Sequence, residues 1–203
     1  MNRAVLASAN PGKLRELAAL LAPSGFELLS QTALGIDSVA ETGSTFLENA
    51  LIKARHAAAA AQLPALADDS GIEVDALGGR PGVLSARFAG EGASDAANLA
   101  HLLGELAGVP EARRTARYQC VVVWVRSADD PAPLTGSGTW EGRIALSSRG
   151  SGGFGYDPAF IPEGERRTAA ELSSEDKNRV SHRAQALRAL VAALESAGVY
   201  SRP

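Results

Sequence analysis

The fold is decided at the start of the chain, by the stretch Arg3-Ala-Val-Leu-Ala-Ser-Ala-Asn-Pro-Gly-Lys-Leu-Arg-Glu16. Residues 3–8 are mostly apolar and indicate a short buried strand, whereas residues 10–13 introduce turn formers and charge. Leucines then recur at spacings of three and four, the period of an amphipathic helix, at Leu14, Leu17, Leu20 and Leu21. The chain is therefore predicted to begin with a strand, a turn and a helix.

Strand and helix patterns continue to alternate outward from this stretch. The predicted elements are a strand at 26–30, a helix at 44–61, a strand ending in a turn at 66–71 followed by 72–74, a helix at 95–106, strands at 116–126 and 134–146, and a helix at 179–195. The two late strands could pair as a hairpin. This order predicts an α/β fold in which a mixed sheet is flanked by helices, in a single domain over residues 1–203.

Two of these helices carry apolar stripes at helical spacing that should face the core. The stripe of the helix at 44–61 comprises Leu47, Leu51, Ala54 and Ala58. The stripe of the last helix comprises Val180, Ala184, Leu187, Val191 and Leu194.

Composition excludes several classes of partner. The net charge of −3 offers no general positive field for a nucleic acid polymer. No apolar run approaches the roughly 18 residues needed to span a bilayer, and the apolar start is too short for a signal peptide, so a cytoplasmic protein without membrane contact is expected. The only cysteine, Cys120, lies in an apolar run and is expected to be a buried hydrophobe.

The junction between the first strand and the first helix is suited to an anion. Backbone N–H groups and the positive end of the helix dipole meet there, and Ser8, Asn10 and Lys13 add polar groups and a charge for phosphate oxygens. The glycine spacing of a P-loop is absent. An ordinary helix cap with a surface lysine is the alternative.

Lysine is used sparingly, since only three of the 20 basic residues are lysines: Lys13, Lys53 and Lys177. All three lie in polar segments that carry other candidate residues, which suits a compact ammonium group at each place. Chance placement is the alternative.

Glu41, Asp68 and Asp69 form a candidate metal and catalytic group. Carboxylate oxygens suit Mg²⁺, which usually takes one or two carboxylates together with water and substrate phosphates. Because neighbouring side chains on a strand point to opposite faces, Asp68 and Asp69 should do different work, one holding metal and the other activating water. The alternative is that Asp68-Asp-Ser-Gly71 is merely a turn.

Polar residues also form one face of the helix at 44–61, where Asn49, Lys53 and His56 follow at spacings of four and three. This face could line a ligand site. For His56, an ordinary surface histidine is the favoured interpretation.

The loop Gly150-Ser-Gly-Gly-Phe-Gly-Tyr-Asp-Pro158 contains the spacing G-x-G-x-x-G, but Pro158 follows it where a dinucleotide-binding fold requires a helix. Phe154 could stack on a flat base, or Phe154 and Tyr156 could be core anchors. His182 or Arg183, at the start of the last helix, could donate to the O6 of a 6-oxo purine and so reject adenine.

Taken in order, these segments resemble the inosine/xanthosine triphosphate pyrophosphatase family along nearly the whole chain. The matching segments are 8–16, 41–43 with Phe46 and 48–50, 53–55, 67–71, 81–82 with 85–87, 152–158 and 181–183. The resemblance implies a pyrophosphatase that converts ITP, dITP or XTP to the monophosphate and pyrophosphate. It also implies an elongated mixed sheet with two lobes around a nucleotide cleft, Mg²⁺ as cofactor, and a homodimer.

The resemblance also assigns roles by matching position. The substrate-binding set is Ser8, Asn10, Lys13, Asn49, Ser70, Phe154, Gly155, Tyr156, Asp157, Lys177, His182 and Arg183. The catalytic set is Lys53, Asp68 and Asp69, with Asp69 as general base, and the metal ligands are Glu41, Asp68 and Asp69.

Two other functions are compatible with some of these residues. A phosphatase could use Asp68 or Asp69 as a nucleophile, although the Asp-x-Asp spacing that such enzymes favour is not present. A nucleotide-binding regulatory domain would need only phosphate and base contacts, but three acids beside a triphosphate make little sense without metal.

Overall fold

The computed structural model describes residues 3–21 and 26–199. Within these ranges the strands are β1 (Arg3–Leu6), β2 (Glu27–Ser30), β3 (Ala65–Val74), β4 (Thr115–Val125), β5 (Leu134–Ile144) and β6 (Phe160–Pro162). The α-helices are α1 (Pro11–Leu21), α2 (Phe46–Ala61), α3 (Asp95–Glu105), α4 (Ser174–Val180) and α5 (His182–Ser196). None of these helices is both long and apolar enough to cross a membrane.

The strands form one sheet in the order β2-β1-β3-β4-β5-β6. β1 pairs in parallel with both β2 and β3, whereas β5 and β6 are antiparallel. The predicted mixed sheet with helices is therefore confirmed, and β4 and β5 are neighbours as expected for a hairpin. β6 was not predicted, because its three residues are too few to form a sequence pattern.

Two predicted elements need correction. β3 runs without interruption from Ala65 to Val74, so the turn predicted near Gly71 is wrong. Asp68 and Asp69 continue the strand because their carboxylates are buried against lysine and arginine side chains instead of being exposed to water. The helix predicted at 179–195 is also interrupted. Ser181 adopts an extended conformation (φ −63°, ψ 158°) and separates α4 from α5.

Two residues of the predicted apolar stripes are exposed rather than buried. Leu47 is the second residue of α2 and Val180 is the last residue of α4, and both side chains are exposed. The core face of α2 is instead built from small residues, because Ala50, Ala54, Ala57 and Ala58 are buried.

The chain folds into two compact units. The first unit comprises residues 1–69, 120–138 and 183–203. Its strands alternate side chains between two apolar clusters, as the period of two requires. One cluster includes Leu6 and Leu66 with leucines of α1 and α5, among them Leu17 and Leu21; the side chain of Leu20 lies outside the described residues. The other includes Val5 and Ala67 with the alanines of α2.

The second unit comprises residues 70–119 and 139–182. Its core joins apolar residues of β3 and α3 to a group of aromatic rings. The rings are Tyr118, Trp140, Tyr156 and Phe160. Phe160 packs edge-on against Tyr118 with ring centroids 4.8 Å apart.

Candidate active site

The start of α1 is capped by Asn10, whose Oδ1 accepts hydrogen bonds from the N–H groups of Gly12 (2.8 Å) and Lys13 (3.1 Å). Pro11 is the first helical residue, a place where its missing N–H costs no helical hydrogen bond. Ser8 Oγ accepts from the N–H of Asn10 at 3.2 Å. Lys13 lies in the first turn of α1, and its side chain extends to Asp68 on β3.

Asp68 faces the α1 and α5 side of β3 in the first unit. Its Oδ2 lies 3.0 Å from Lys13 Nζ and 3.4 Å from Arg183 Nε, and Arg183 also pairs with Glu16. Burial opposes ionisation of Asp68, but the charges of Lys13, Arg183 and Lys53 hold the pKa of its carboxyl well below the usual range. Asp68 is therefore a permanent anion that binds cationic side chains.

Arg183 belongs to this acidic cluster, whereas it was grouped with the base pocket in the sequence-based prediction. Only 2% of its surface is exposed, and its guanidinium contacts the carboxylates of Asp68 and Glu16. Glu16 was not predicted as a site residue, although it lies three residues after Lys13 and hence on the same helix face.

Asp69 faces the opposite side, towards α2. Its Oδ1 lies 3.0 Å from Lys53 Nζ, which also contacts Glu41 Oε1 at 2.7 Å, and its Oδ2 accepts from Asn49 Nδ2 at 3.3 Å. Burial, reinforced by the negative charge of Glu41, raises the pKa of Asp69 despite the two nearby lysines. The pKa of Lys53 is also raised, because the charges of Asp69, Asp68 and Glu41 outweigh its desolvation.

The segment that carries Glu41 is attached to α2 by several hydrogen bonds. Gly43 donates its N–H to Asn49 Oδ1 at 2.8 Å, and a Cβ at Gly43 would lie 2.6 Å from Glu48 Cβ. Thr45 and Glu48 form a capping box at the start of α2. His56 Nε2 lies 2.9 Å from the carbonyl oxygen of Asp37, so the face predicted from the spacing of four and three is turned towards this segment.

In the described part of the chain, no three His, Cys, Asp or Glu side chains converge in a metal-binding arrangement. Glu41 and Asp69 instead share the ammonium group of Lys53, while Asp68 is held by Lys13 and Arg183. The three predicted metal ligands thus divide into a pair and a single residue.

In the second unit, Asp157 gathers three hydrogen-bond donors. Its Oδ2 lies 2.6 Å from Lys177 Nζ and accepts the N–H of Phe154 at 2.9 Å, while Tyr118 donates its hydroxyl to Oδ1 at 3.3 Å. Lys177 Nζ also lies 5.0 Å from the centre of the Phe154 ring, within the range of a cation–π interaction. Asp157 and Lys177 are buried, and Phe154 is half-buried.

The glycine loop is shaped by the same carboxylate. Gly153 has φ +69°, and a Cβ there would lie 2.0 Å from Asp157 Oδ2. Gly155 donates its N–H to Asp95 Oδ2 at 2.9 Å. Tyr156 is buried and donates its hydroxyl to the carbonyl oxygen of Ser85 at 2.7 Å, so it is a core anchor, the alternative considered for it above.

His182 is buried in the aromatic core of the second unit. Its ring stacks on Tyr118 at a centroid distance of 4.5 Å and an interplanar angle of 6°. Tyr118 was missed from the sequence, because an aromatic residue in an apolar strand carries no functional signal by itself. Ser70, also predicted to bind substrate, is half-buried on β3.

Known proteins match the chain along nearly its whole length. A model described as the Ham1 family matches residues 4–193. A protein of Methylococcus capsulatus named dITP/XTP pyrophosphatase is 58% identical, with 95% of this chain and 96% of that protein covered. A protein of the same name from Pectobacterium atrosepticum is 55% identical, with 97% and 100% covered. A solved HAM1 protein structure from Coxiella burnetii has a TM-score of 0.88 at 47% identity, with 97% and 100% covered.

Proposed function

The chain belongs to the Ham1 family, and from that premise we propose that it is a nucleoside triphosphate pyrophosphatase. It hydrolyses the non-standard purine nucleotides ITP, dITP and XTP to the monophosphate and pyrophosphate, and so cleanses the nucleotide pool. The relatives named dITP/XTP pyrophosphatase support this activity, since they match the chain over nearly its full length.

The observation that carries the proposal is the cluster of opposite charges in the first unit. Lys13 lies on Asp68, and Lys53 lies on both Asp69 and Glu41. Lysine side chains attract phosphate oxygens, whereas the buried carboxylates repel phosphate oxygens. The arrangement therefore favours an anionic substrate that arrives with a cation.

Magnesium is the cation that fits these side chains. Glu41 and Asp69 offer hard oxygen donors on either side of one ammonium group. Two carboxylates are the usual protein contribution to a Mg²⁺ site that also uses water and phosphate oxygens. Glu41 and Asp69 would hold the ion, and Asp68 orients Lys13. When bound, Mg²⁺ polarises the reacting phosphoryl group.

Asp69 is the general base in this proposal. It takes a proton from the attacking water while the water oxygen bonds to the α-phosphorus and the bond to the bridging oxygen breaks, so the electron pair leaves with pyrophosphate. Burial and the charge of Glu41 raise its pKa, which favours uptake of a proton. Lys53 and Lys13 offset the negative charge that gathers on the departing phosphates.

The remaining substrate contacts are proposed for phosphate and base separately. Ser8, Asn10 and Lys13 surround the start of α1 and would bind phosphate oxygens. In the second unit, Phe154 is half-buried and would stack on the base. The other residues proposed for the base and sugar are Ser70, Gly155, Asp157, Lys177 and His182. Tyr156 and Arg183 leave this set, since Tyr156 anchors the core and Arg183 pairs with Asp68 and Glu16.

Lys177 and His182 offer donors for an acceptor such as the O6 of a 6-oxo purine, where adenine has an amino donor. A cytoplasmic location and a homodimeric state complete the proposal, and the family resemblance supports the homodimer. Sedimentation of the purified protein measures the oligomeric state.

The proposal is tested by incubating the protein with Mg²⁺ and ITP, dITP, XTP, GTP or ATP, and assaying pyrophosphate separately from orthophosphate. We expect pyrophosphate from the first three and slow turnover of ATP. Orthophosphate with a phosphoaspartyl intermediate would identify a phosphatase, and binding without turnover would identify a regulatory domain. Either result would overturn the proposed activity.

A further inference from the structure

We infer that Asn49 is a positioning residue that sets the separation of Glu41 and Asp69, rather than a substrate ligand. The inference rests on the proposed function. It revises the role that the family resemblance implied for Asn49.

The first step is burial. Asn49 has no exposed surface, although it lies on the helix that also carries the partly exposed Lys53. A substrate could reach its amide only if α2 or the segment before it moved away. Contact with a bound nucleotide is therefore not the role of this side chain.

The second step is the pair of hydrogen bonds that the amide makes. Oδ1 accepts the N–H of Gly43 at 2.8 Å, and Nδ2 donates to Asp69 Oδ2 at 3.3 Å. The partners dictate this orientation, because a backbone N–H can only donate and a carboxylate can only accept. Aspartate lacks the donor, and leucine lacks both groups.

The third step is what the amide connects. Gly43 lies two residues after Glu41, so the amide joins the segment carrying one carboxylate to the side chain of the other. Lys53, four residues further along α2, joins the same two carboxylates through its ammonium group. The ammonium group of Lys53 attracts both carboxylates, whereas the neutral amide of Asn49 sets the distance between them. Side chains that orient metal-binding carboxylates in this way typically change metal affinity or activity by about 10- to 100-fold when replaced.

The test compares Asn49→Asp and Asn49→Leu with wild type. We expect kcat to fall by about 10- to 100-fold and the half-saturating Mg²⁺ concentration to rise by about 10-fold. The KM for ITP at saturating Mg²⁺ should change by less than about threefold. A positioning residue does not touch the substrate, so the contacts that bind ITP in the ground state are kept. The Mg²⁺-induced rise in melting temperature, measured without nucleotide, should shrink in both variants.

Asn98 provides a matched control. It is 2% exposed on α3, and its amide likewise bridges two groups, the N–H of Ala89 (2.8 Å) and the carbonyl oxygen of Ala86 (3.1 Å). Asn98→Asp should lower the melting temperature to a similar extent and leave the Mg²⁺ dependence unchanged. Gly43→Ala attacks the bridge from its other end, since the new Cβ would lie 2.8 Å from Asn49 Oδ1. It should reproduce the Mg²⁺ effect even if the Asn49 variants do not fold.

A rise in KM with unchanged kcat and Mg²⁺ dependence would show that Asn49 binds substrate and would overturn the inference. So would an unchanged Mg²⁺ dependence in folded Gly43→Ala. These failures are distinct from failure of the proposed function, in which the wild-type protein itself would release no pyrophosphate.

Discussion

Asp68 and Asp69 are neighbours on β3, but the two faces of the strand give them opposite surroundings. Asp68 meets Lys13 and Arg183, and these cations hold its pKa below the usual range although burial opposes them. Asp69 meets Lys53 but shares it with Glu41, and burial with that second anion raises its pKa. The pKa values of two neighbouring aspartates are thus shifted in opposite directions, because their side chains face opposite sides of the strand.

The largest effect should come from replacing Asp69, the carboxylate with the raised pKa. In Asp69→Asn the proposed base is lost while size and the hydrogen bond to Lys53 are largely retained, so kcat/KM should fall about 10³-fold or more, equivalent to about 4 kcal/mol. Asp69 is also a proposed Mg²⁺ ligand, so binding of a non-hydrolysable ITP analogue should persist when calorimetry is done at saturating Mg²⁺. Retention of near-wild-type turnover would remove Asp69 from the role of base.

Replacing Asp68, the carboxylate with the lowered pKa, should chiefly affect the free energy of unfolding. Asp68→Asn removes the buried carboxylate that Lys13 and the buried Arg183 share, so the free energy of unfolding should fall by about 3 kcal/mol. Urea denaturation of the variant and of Asp69→Asn measures the contrast. An equal loss in both variants would show that the two faces are energetically alike.

The two variants should also differ in how their stability depends on pH. The lowered pKa of Asp68 means that its ionised form stabilises the fold above about pH 4, the unfolded-state pKa, and that this stabilisation is lost as pH falls through its folded-state pKa. Asp69 has the opposite sign, because ionisation costs stability above its raised folded-state pKa and this cost disappears as pH falls towards about 4.

Urea titrations between about pH 3 and 7 therefore sharpen the comparison. The deficit of Asp68→Asn relative to wild type should shrink at the acid end. The difference between wild type and Asp69→Asn should move the other way. Parallel pH profiles for the two variants would contradict the assignment of the shifts.

The smallest effect is expected at Glu16, which supports the Asp68 face through Arg183. Glu16→Gln keeps an oxygen acceptor for the guanidinium, so the unfolding free energy should fall by only about 1 kcal/mol. Arg183 would still hold Asp68. A loss as large as that of Asp68→Asn would show that Glu16, and not Asp68, is the main partner of Arg183.

Local patterns predicted much of the fold because they reflect only a few neighbouring residues. The strand, turn and helix at the start were confirmed, with Pro11 as the first helical residue. The turn predicted near Gly71 was wrong, because the strand is maintained by partners distant in sequence. The split at Ser181 was also missed, since the apolar spacing continues across it.

The site followed the same division. The alternation of side chains on a strand predicted that Asp68 and Asp69 face different ways, and the contacts of each confirm it. The partners of these two carboxylates could not be predicted from local patterns. Arg183 is 115 residues from Asp68 in the chain, and no local pattern joins them. Asn49 carried an amide on a polar helix face, which is equally compatible with binding substrate and with burial.

The sequence by itself determined the order of most elements, the family and which residue types bear the chemistry, because these follow from periodicity and from motifs along the chain. Only the tertiary structure decided which cation meets which acid, and therefore the direction of each pKa shift. Electrostatic energy depends on distance in space and on burial, and neither quantity is recorded in the spacing of residues along a strand or helix.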